Sequence, residues 1–141
     1  MKNYAFLPLV ALSLALQPVF AGESELDTPA RGNLPHAFDA GWQGRKTCEI
    51  LFEDQAMRIG RCVFPPGVGH EKHYHNPHFG YVLEGGVLLI RDDQGEREMT
   101  TQPGGTWSTS SVTVHEAENI GDSTTSYLIV EPRTPPAATA Q

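Results

Sequence analysis

The chain has 141 residues and a formal net charge of −7, with 14 glycines and 11 prolines. This length and an apolar content of 39% suit a single β-rich domain. Because the chain is acidic and has no run of basic residues, the sequence argues against nucleic acid and anionic membrane surfaces as partners.

Residues 1–21 have the pattern of a secretory signal peptide. Lys2 is the only charge, an apolar core from Ala5 to Leu16 follows it, and residues 19–21 (Val-Phe-Ala) form a small-x-small cleavage site. A membrane anchor is the alternative, but the apolar run is shorter than the roughly 20 residues that a spanning helix needs. We therefore expect a periplasmic or secreted protein that begins near Gly22 and has no membrane association after cleavage.

Residues 22–46 are predicted to form an irregular N-terminal arm, because they are rich in proline, glycine and charge. Leu34, Phe38 and Trp42 are isolated large apolar residues on this arm. Such residues pack either on the flank of the chain's own domain or across a homodimer, and the sequence leaves both alternatives open. His36 has no partner at metal-ligand spacing and is expected to be a surface histidine.

Two alternating segments, Thr47–Phe52 and Ala56–Phe64, predict a β-hairpin. Cys48 and Cys62 lie nearly opposite each other if the turn centres on Gln55, so we expect them to be close in space. In an exported protein they can form a disulfide. Direct cross-strand bridges are geometrically demanding, so two buried free thiols remain the alternative.

The most informative stretch is Pro66–Gly86, which holds four of the six histidines. His73 and His75 are two residues apart, so on a strand both imidazoles leave the same face. The Asn-Pro pair at 76–77 interrupts the strand geometry, because proline fixes φ and donates no backbone hydrogen bond. His78 is thereby free to turn toward the other two, and the stretch outlines a metal site.

The remaining pattern predicts further strands and places a few single residues. His70, on a glycine-rich loop, is expected to lie at the rim of the site and not to bind metal. Trp107 is expected in the core or in a pocket wall, and 132–141 is expected to be a disordered tail. The predicted strands are 79–83, 87–90, 97–101, 106–109, 115–120 and 124–130, the last two forming a closing hairpin around Gly121 and Asp122.

Seven residues fall into two spaced sets: Gly67, His73, His75 and Gly85 in the first, and Gly104, His115 and Asn119 in the second. This arrangement resembles the two motifs of the cupins, which are single-domain β-barrels. The resemblance covers roughly residues 45–131. It implies an all-β fold, a cupin-type double-stranded β-helix or jelly-roll barrel over residues 47–131, preceded by the irregular arm.

The resemblance also implies a set of metal ligands. His78 stands where the family's first motif has a glutamate, so the implied set is His73, His75, His78 and His115. The implied cofactor is a divalent transition metal, and the candidates are Zn, Cu, Ni, Mn and Fe. Neutral imidazoles bind Zn, Cu and Ni more tightly than Mn or Fe(II).

Two classes of function follow from the resemblance, and the sequence does not decide whether the protein is an enzyme. The first is a metal-dependent enzyme acting on a small anionic or dicarbonyl substrate, of the oxygenase, isomerase or cyclase, or lyase type. Four neutral ligands would leave the full +2 charge on the ion, which favours anionic ligands. The second is a non-catalytic module that binds or senses a metal or a small ligand. Tyr81, Glu84 and Glu116 lie near the ligands in sequence, but none is placed well enough to be named as an acid or base.

Overall fold

The computed structural model describes residues 31–133, so the predicted signal peptide and residues 134–141 of the predicted tail lie outside the described residues. Within 31–133, no helix has the length and apolar character needed to cross a membrane. Eleven strands make up the regular structure of this range. They are β1 (Gly41–Trp42), β2 (Arg45–Lys46), β3 (Cys48–Glu53), β4 (Met57–Phe64), β5 (Gly69–His75), β6 (His78–Glu84), β7 (Val87–Asp92), β8 (Gly95–Thr100), β9 (Thr106–Thr109), β10 (Thr113–Asn119) and β11 (Thr125–Pro132).

The two large sheets form the predicted all-β jelly-roll barrel. One sheet has the strand order β5-β10-β7-β8 and the other β3-β4-β11-β6-β9, and all pairings between these strands are antiparallel. The chain changes sheet between β4 and β5, again on either side of β6, and at each connection from β8 to β11. Side chains alternate along each strand, so every strand sends one set of residues inward. The buried apolar cluster is Phe38, Cys48, Cys62, Phe64, Leu88, Ile90, Ala117, Tyr127 and Ile129.

The predicted closing hairpin is wrong, although both of its strands exist. β10 pairs with β5 and β7, whereas β11 pairs with β4 and β6, so the two strands lie in different sheets. The turn around Gly121 therefore carries the chain across the barrel. A short polar turn between two strands has the same local sequence signature in either case, and only the partners of the strands distinguish them.

Asn119 holds this crossing in place. Its side chain is fully buried, and its Nδ2 donates to the carbonyls of Phe64 (2.6 Å) and Ser123 (2.8 Å). Its Oδ1 accepts a hydrogen bond from the backbone N–H of Gly121 at 3.0 Å. The motif asparagine thus ties the end of β4 to the β10–β11 turn.

Two motif glycines have a conformational role. Gly67 has φ of 74° and Gly104 has φ of 83°, a left-handed conformation in which a Cβ is unfavourable. Each glycine therefore allows a turn that leads into a strand of the site, β5 in the first case and β9 in the second.

Cys48 and Cys62 are direct cross-strand partners in the β3–β4 hairpin and form a disulfide. Their Cα atoms are 4.0 Å apart, which confirms the predicted proximity. Of the two alternatives, the bridge and not the pair of free thiols is present.

The described part of the arm packs on the chain's own barrel. Phe38 is 3% exposed and lies over Gly60 of β4, where any Cβ would collide with its ring. Trp42 covers Gly69 of β5 in the same way. The arm is also less irregular than predicted, because residues 41–46 form the small β1–β2 hairpin.

Candidate metal centre

Three imidazoles converge at one end of the β5–β10 pair. His73 and His75 alternate with Tyr74 on β5 and both face the barrel interior, while His115 on β10 is the direct register partner of His73. One nitrogen of each of the three rings can be chosen so that all three lie within 4.8 Å of one another. The Nε2 atoms of His73 and His75 are 2.9 Å apart. The structure therefore brings together three of the four implied ligands.

A hydrogen bond to the backbone sets the orientation of the His73 ring. Its Nδ1 donates to the backbone carbonyl of Glu71 at 2.7 Å, which leaves the lone pair of Nε2 directed at the other two rings. Histidines that bind metal commonly donate their other ring nitrogen to a carbonyl or carboxylate in this way, and the contact selects the tautomer. Local backbone geometry thus prepares His73 as a ligand.

Burial keeps these rings uncharged. It lowers the pKa of His73 and of His115 to about 3 in each case, and it holds the pKa of His75 well below its usual value. Desolvation is the main cause, since the protonated form of a buried imidazole is poorly solvated. Three neutral imidazoles have free lone pairs near neutral pH, as metal coordination requires.

The residues present fit a divalent transition metal. Nε2 atoms at 2.9 Å are within the reach of two metal–nitrogen bonds of about 2.0–2.1 Å each. Nδ1 of His75 is buried and has no hydrogen-bond partner in the described part of the chain, so the contacts of this ring's nitrogens are made through Nε2, on the side of His73. An all-imidazole set suits Zn, Cu, Ni or Fe.

His78, the fourth implied ligand, lies beside the cluster, and both of its ring nitrogens form hydrogen bonds. Its ring centroid is 4.6 Å from that of His75. Its Nδ1 donates to the carbonyl of Asn76 at 2.8 Å, and its Nε2 accepts from Nε1 of Trp107 at 3.2 Å. Coordination through Nε2 would replace the bond to Trp107, so the ligand role of His78 stays a prediction.

Trp107 reaches His78 because Gly80 lies beneath its ring. Gly80 pairs with Trp107 across β6 and β9, and a Cβ at Gly80 would be 2.2 Å from the indole. The indole therefore lies flat against β6 and forms part of a cavity wall, which confirms one of the two positions expected for this tryptophan.

The expectation that His70 lies at the rim is wrong. Its side chain is fully buried, its ring centroid is 3.8 Å from that of His73, and its Nε2 is 3.8 Å from Sγ of Cys48. His73 pairs with His115, and the next pair is His70 with Ala117. Between these pairs β5 covers three residues and β10 only two, so the strand pair contains a bulge. This bulge turns His70 inward, whereas the sequence pattern predicts it on a glycine-rich loop outside the strand.

The expectation that His36 is a surface histidine is also wrong. It is 8% exposed, and its Nε2 donates to both carboxylate oxygens of Glu131, at 2.9 and 3.1 Å. Its Nδ1 accepts from the backbone N–H of Phe38. The arm crosses the barrel next to Tyr74 and thereby reaches the end of β11, a contact that residue spacing does not indicate.

The cluster opens on a cavity of about 640 Å³ inside the barrel, lined by His75, His78 and His115 among others. Lys72, Asp92 and Arg97 also line it and were not singled out from the sequence. Nη1 of Arg97 donates to Asp92 at 2.5 Å, and this hydrogen bond lowers the pKa of Asp92. These charges come from three strands that only the folded sheet makes neighbours.

Comparisons with known proteins agree with this architecture. The family model described as "Cupin domain" matches residues 60–131, just over half of the chain. Among solved structures, the chain is similar to a cupin domain from Bordetella pertussis Tohama I (TM-score 0.59, 17% identity, 62% of this chain and 92% of that chain covered). It is also similar to a predicted oxalate decarboxylase from Thermotoga maritima (TM-score 0.49, 22% identity, 62% and 79% covered). Comparison with curated proteins gave no significant match.

Proposed function

The chain belongs to the cupin domain family, and on that premise we propose that it is a metal-dependent enzyme acting on a small anionic or dicarbonyl substrate. The observation that carries this proposal is the position of the three-histidine cluster at the wall of the cavity. Structural zinc sites are closed by four protein ligands, whereas catalytic sites have three and keep a position open to substrate. His75 and His115 both line the cavity, so that open side faces a space large enough for a small molecule.

The donor set supports the substrate class. Neutral imidazoles leave the full +2 charge on a bound ion, which would polarise a carbonyl and attract a carboxylate or enolate oxygen. The protein itself contributes orientation: Glu71 holds His73, and Trp107 holds His78 at the cavity wall. The reaction would be of the oxygenase, isomerase or cyclase, or lyase type.

The second candidate, a non-catalytic module that binds or senses a metal or small ligand, is favoured by the placement of the acids. Glu84 accepts from Ser126, Glu116 accepts from Arg91, and neither lines the cavity. Tyr81 does not line it either. None of these three residues is therefore poised over the cavity as an acid or base. The carboxylates that line it are Asp92, which accepts from Arg97, and Asp93.

We also propose that the protein acts outside the cytoplasm, in the periplasm or after secretion. The signal-peptide pattern of residues 1–21 is the main support. The Cys48–Cys62 disulfide adds to it, because such bonds persist chiefly in oxidising compartments.

The test begins with elemental analysis of protein purified from its native compartment. We expect about one transition-metal ion per chain, lost in His115→Ala and kept in His36→Gln, which alters a histidine outside the cluster. The metal-loaded protein is then incubated with α-keto acids and β-diketones, with and without oxygen, and product is followed by mass spectrometry. Metal-dependent turnover supports the enzyme. A metal that is bound, redox-silent and without turnover would favour the binding module.

A further inference from the structure

The inner part of the cavity is apolar, and strand register shows how its layers are built. On β10, His115 is followed two residues later by Ala117, which pairs with Ile90 of β7. Two residues deeper on β7, Leu88 pairs with Met99 of β8. Because side chains alternate, each step of two residues leads one layer away from the histidines. All four residues beyond His115 line the cavity.

The opposite sheet continues the same surface. Ile129 and Tyr127 of β11 and Trp107 of β9 line the cavity from that side. Burial raises the pKa of Tyr127, so its phenol stays neutral. The layers beneath the histidines are therefore enclosed mainly by aliphatic and aromatic groups. Thr101, two residues beyond Met99, also lines the cavity, and its hydroxyl donates to the carbonyl of Gly86 at 3.3 Å.

The charged lining residues do not disturb this apolar interior. Arg97 is the register partner of Ile90, yet its guanidinium is bonded to Asp92, one layer nearer the histidines, and its side chain is 54% exposed. Lys72 is exposed as well. Asp92, whose side chain is 15% exposed, ends β7 on the side of the histidines, and Asp93 follows it in the cavity lining. The charged lining residues therefore lie toward the histidine end, and the apolar ones lie farther in.

A space of this kind is unlike an ordinary protein core. Interiors are close-packed, with few voids larger than a water molecule, whereas here Leu88, Ile90, Ala117 and Ile129 border about 640 Å³ of open volume. Apolar walls offer water few hydrogen-bond partners. The occupant that matches the lining has an apolar body.

We infer that the ligand of this site is amphiphilic: a carboxylate or dicarbonyl head placed at the histidines, joined to a branched aliphatic or aromatic body that fills the apolar layers. This inference rests on the proposed function for the head alone, since the body is deduced from the lining of the cavity. It argues against polyhydroxylated sugars and short diacids as the preferred ligands.

Three probes with the same α-keto acid head test the inference: pyruvate, α-ketoisocaproate with its isobutyl body, and α-ketoglutarate with a charged tail. Affinity is measured by titration calorimetry on the metal-loaded protein and on protein stripped of metal. We expect α-ketoisocaproate to bind at least about tenfold tighter than pyruvate, given the apolar area that it buries. We expect α-ketoglutarate to bind no tighter than pyruvate. Equal affinity for all three, or no binding of any, overturns the inference.

Point variants test whether the apolar body of the ligand binds in the layers beneath the histidines. Met99→Gln places a polar group in the deep layer and should reduce the preference for α-ketoisocaproate several-fold while leaving pyruvate unchanged. Leu83→Gln is the matched control, because Leu83 is similarly exposed (38% against 39% for Met99) and does not line the cavity. Ala117→Leu narrows the cavity and should abolish the preference. Should Ala117→Leu fail to fold, the Met99 and Leu83 pair decides.

The two proposals fail in different ways. A tenfold preference for α-ketoisocaproate that is the same with and without metal supports the apolar cavity and counts against the metal-dependent function. Metal-dependent binding with equal affinity for all three probes supports the metal site and overturns the amphiphilic ligand.

Discussion

His78 is the residue on which the number of metal ligands depends. If it coordinates, His78→Ala should weaken metal binding by more than the roughly 10–100-fold typical of losing a hydrogen bond to a ligand. His78→Glu should largely restore the affinity, because it supplies a carboxylate oxygen at the position where the family has one. Affinity is measured by competition with a chelator of known strength.

The control for His78 is Trp107→Phe, which removes the indole N–H that occupies Nε2 of His78 in the structure. A ligating His78 predicts that this variant binds metal at least as tightly as the parent protein. Unchanged affinity in His78→Ala would establish a three-histidine site with a further open position.

At the scale of strands and turns, Asn119 links the two sheets. Asn119→Ala removes three buried hydrogen bonds and leaves carbonyls of β4 and of the β10–β11 turn without a donor. We expect the free energy of unfolding to fall by about 2–4 kcal/mol in urea titrations. Asn33→Ala, at an exposed position of the arm, should change it by less than about 0.5 kcal/mol. Equal effects of the two substitutions would contradict the role of Asn119.

The β3–β4 hairpin carries the disulfide, whose cysteines are 14 residues apart in sequence. In the chain-entropy account, a loop of this length contributes about 3 kcal/mol to stability. The paired substitution Cys48→Ser and Cys62→Ser should lower the urea midpoint accordingly, and reduction of the parent protein should reproduce the effect. Thiols that react in the native, unreduced protein would show that the bridge does not form.

At the scale of the whole molecule, the buried histidines make stability depend on pH. Burial lowers the pKa of His70 to about 4 and the pKa of His73 and of His115 to about 3, against 6.5 for the free side chain. Below pH 6.5 the unfolded chain therefore binds protons that the folded chain does not. Stability is full above that pH and decreases as the pH falls toward the folded values, by about 1.4 kcal/mol per pH unit for each group.

Urea titrations of metal-free protein between about pH 7 and pH 4 measure this slope. His70→Leu should reduce the slope by the share of one group, about 1.4 kcal/mol per pH unit. A free energy of unfolding that stayed constant over this range would contradict the buried, neutral state of the histidines.

Export also concerns the whole chain. Expression of the full gene in a bacterial host should yield a processed form whose N-terminus, determined by mass spectrometry of the intact protein, is Gly22. A deletion of Ala5–Leu16 should abolish processing. A mature product that still begins at Met1 would contradict the signal peptide.

Much of this protein could be predicted from the residues alone. The strands, the Cys48–Cys62 contact and the shared face of His73 and His75 depend on alternation and on short-range turns, which are local properties. The family motifs brought in His115, which is distant in sequence from the other ligands. Because these features rest on local geometry or on motif spacing, the sequence determined them by itself.

Only the tertiary structure decided the features that depend on which strands pair with each other and which segments pack on them. A bulge in the β5–β10 pair turned His70 inward, and passage of the arm over Tyr74 brought His36 to Glu131. The two strands predicted as a closing hairpin lie in different sheets, because β10 pairs with β7 and β11 pairs with β4. The turn at Gly121 therefore connects one sheet to the other. Register and burial are set by contacts between distant segments, so alternation within one strand could not reveal them.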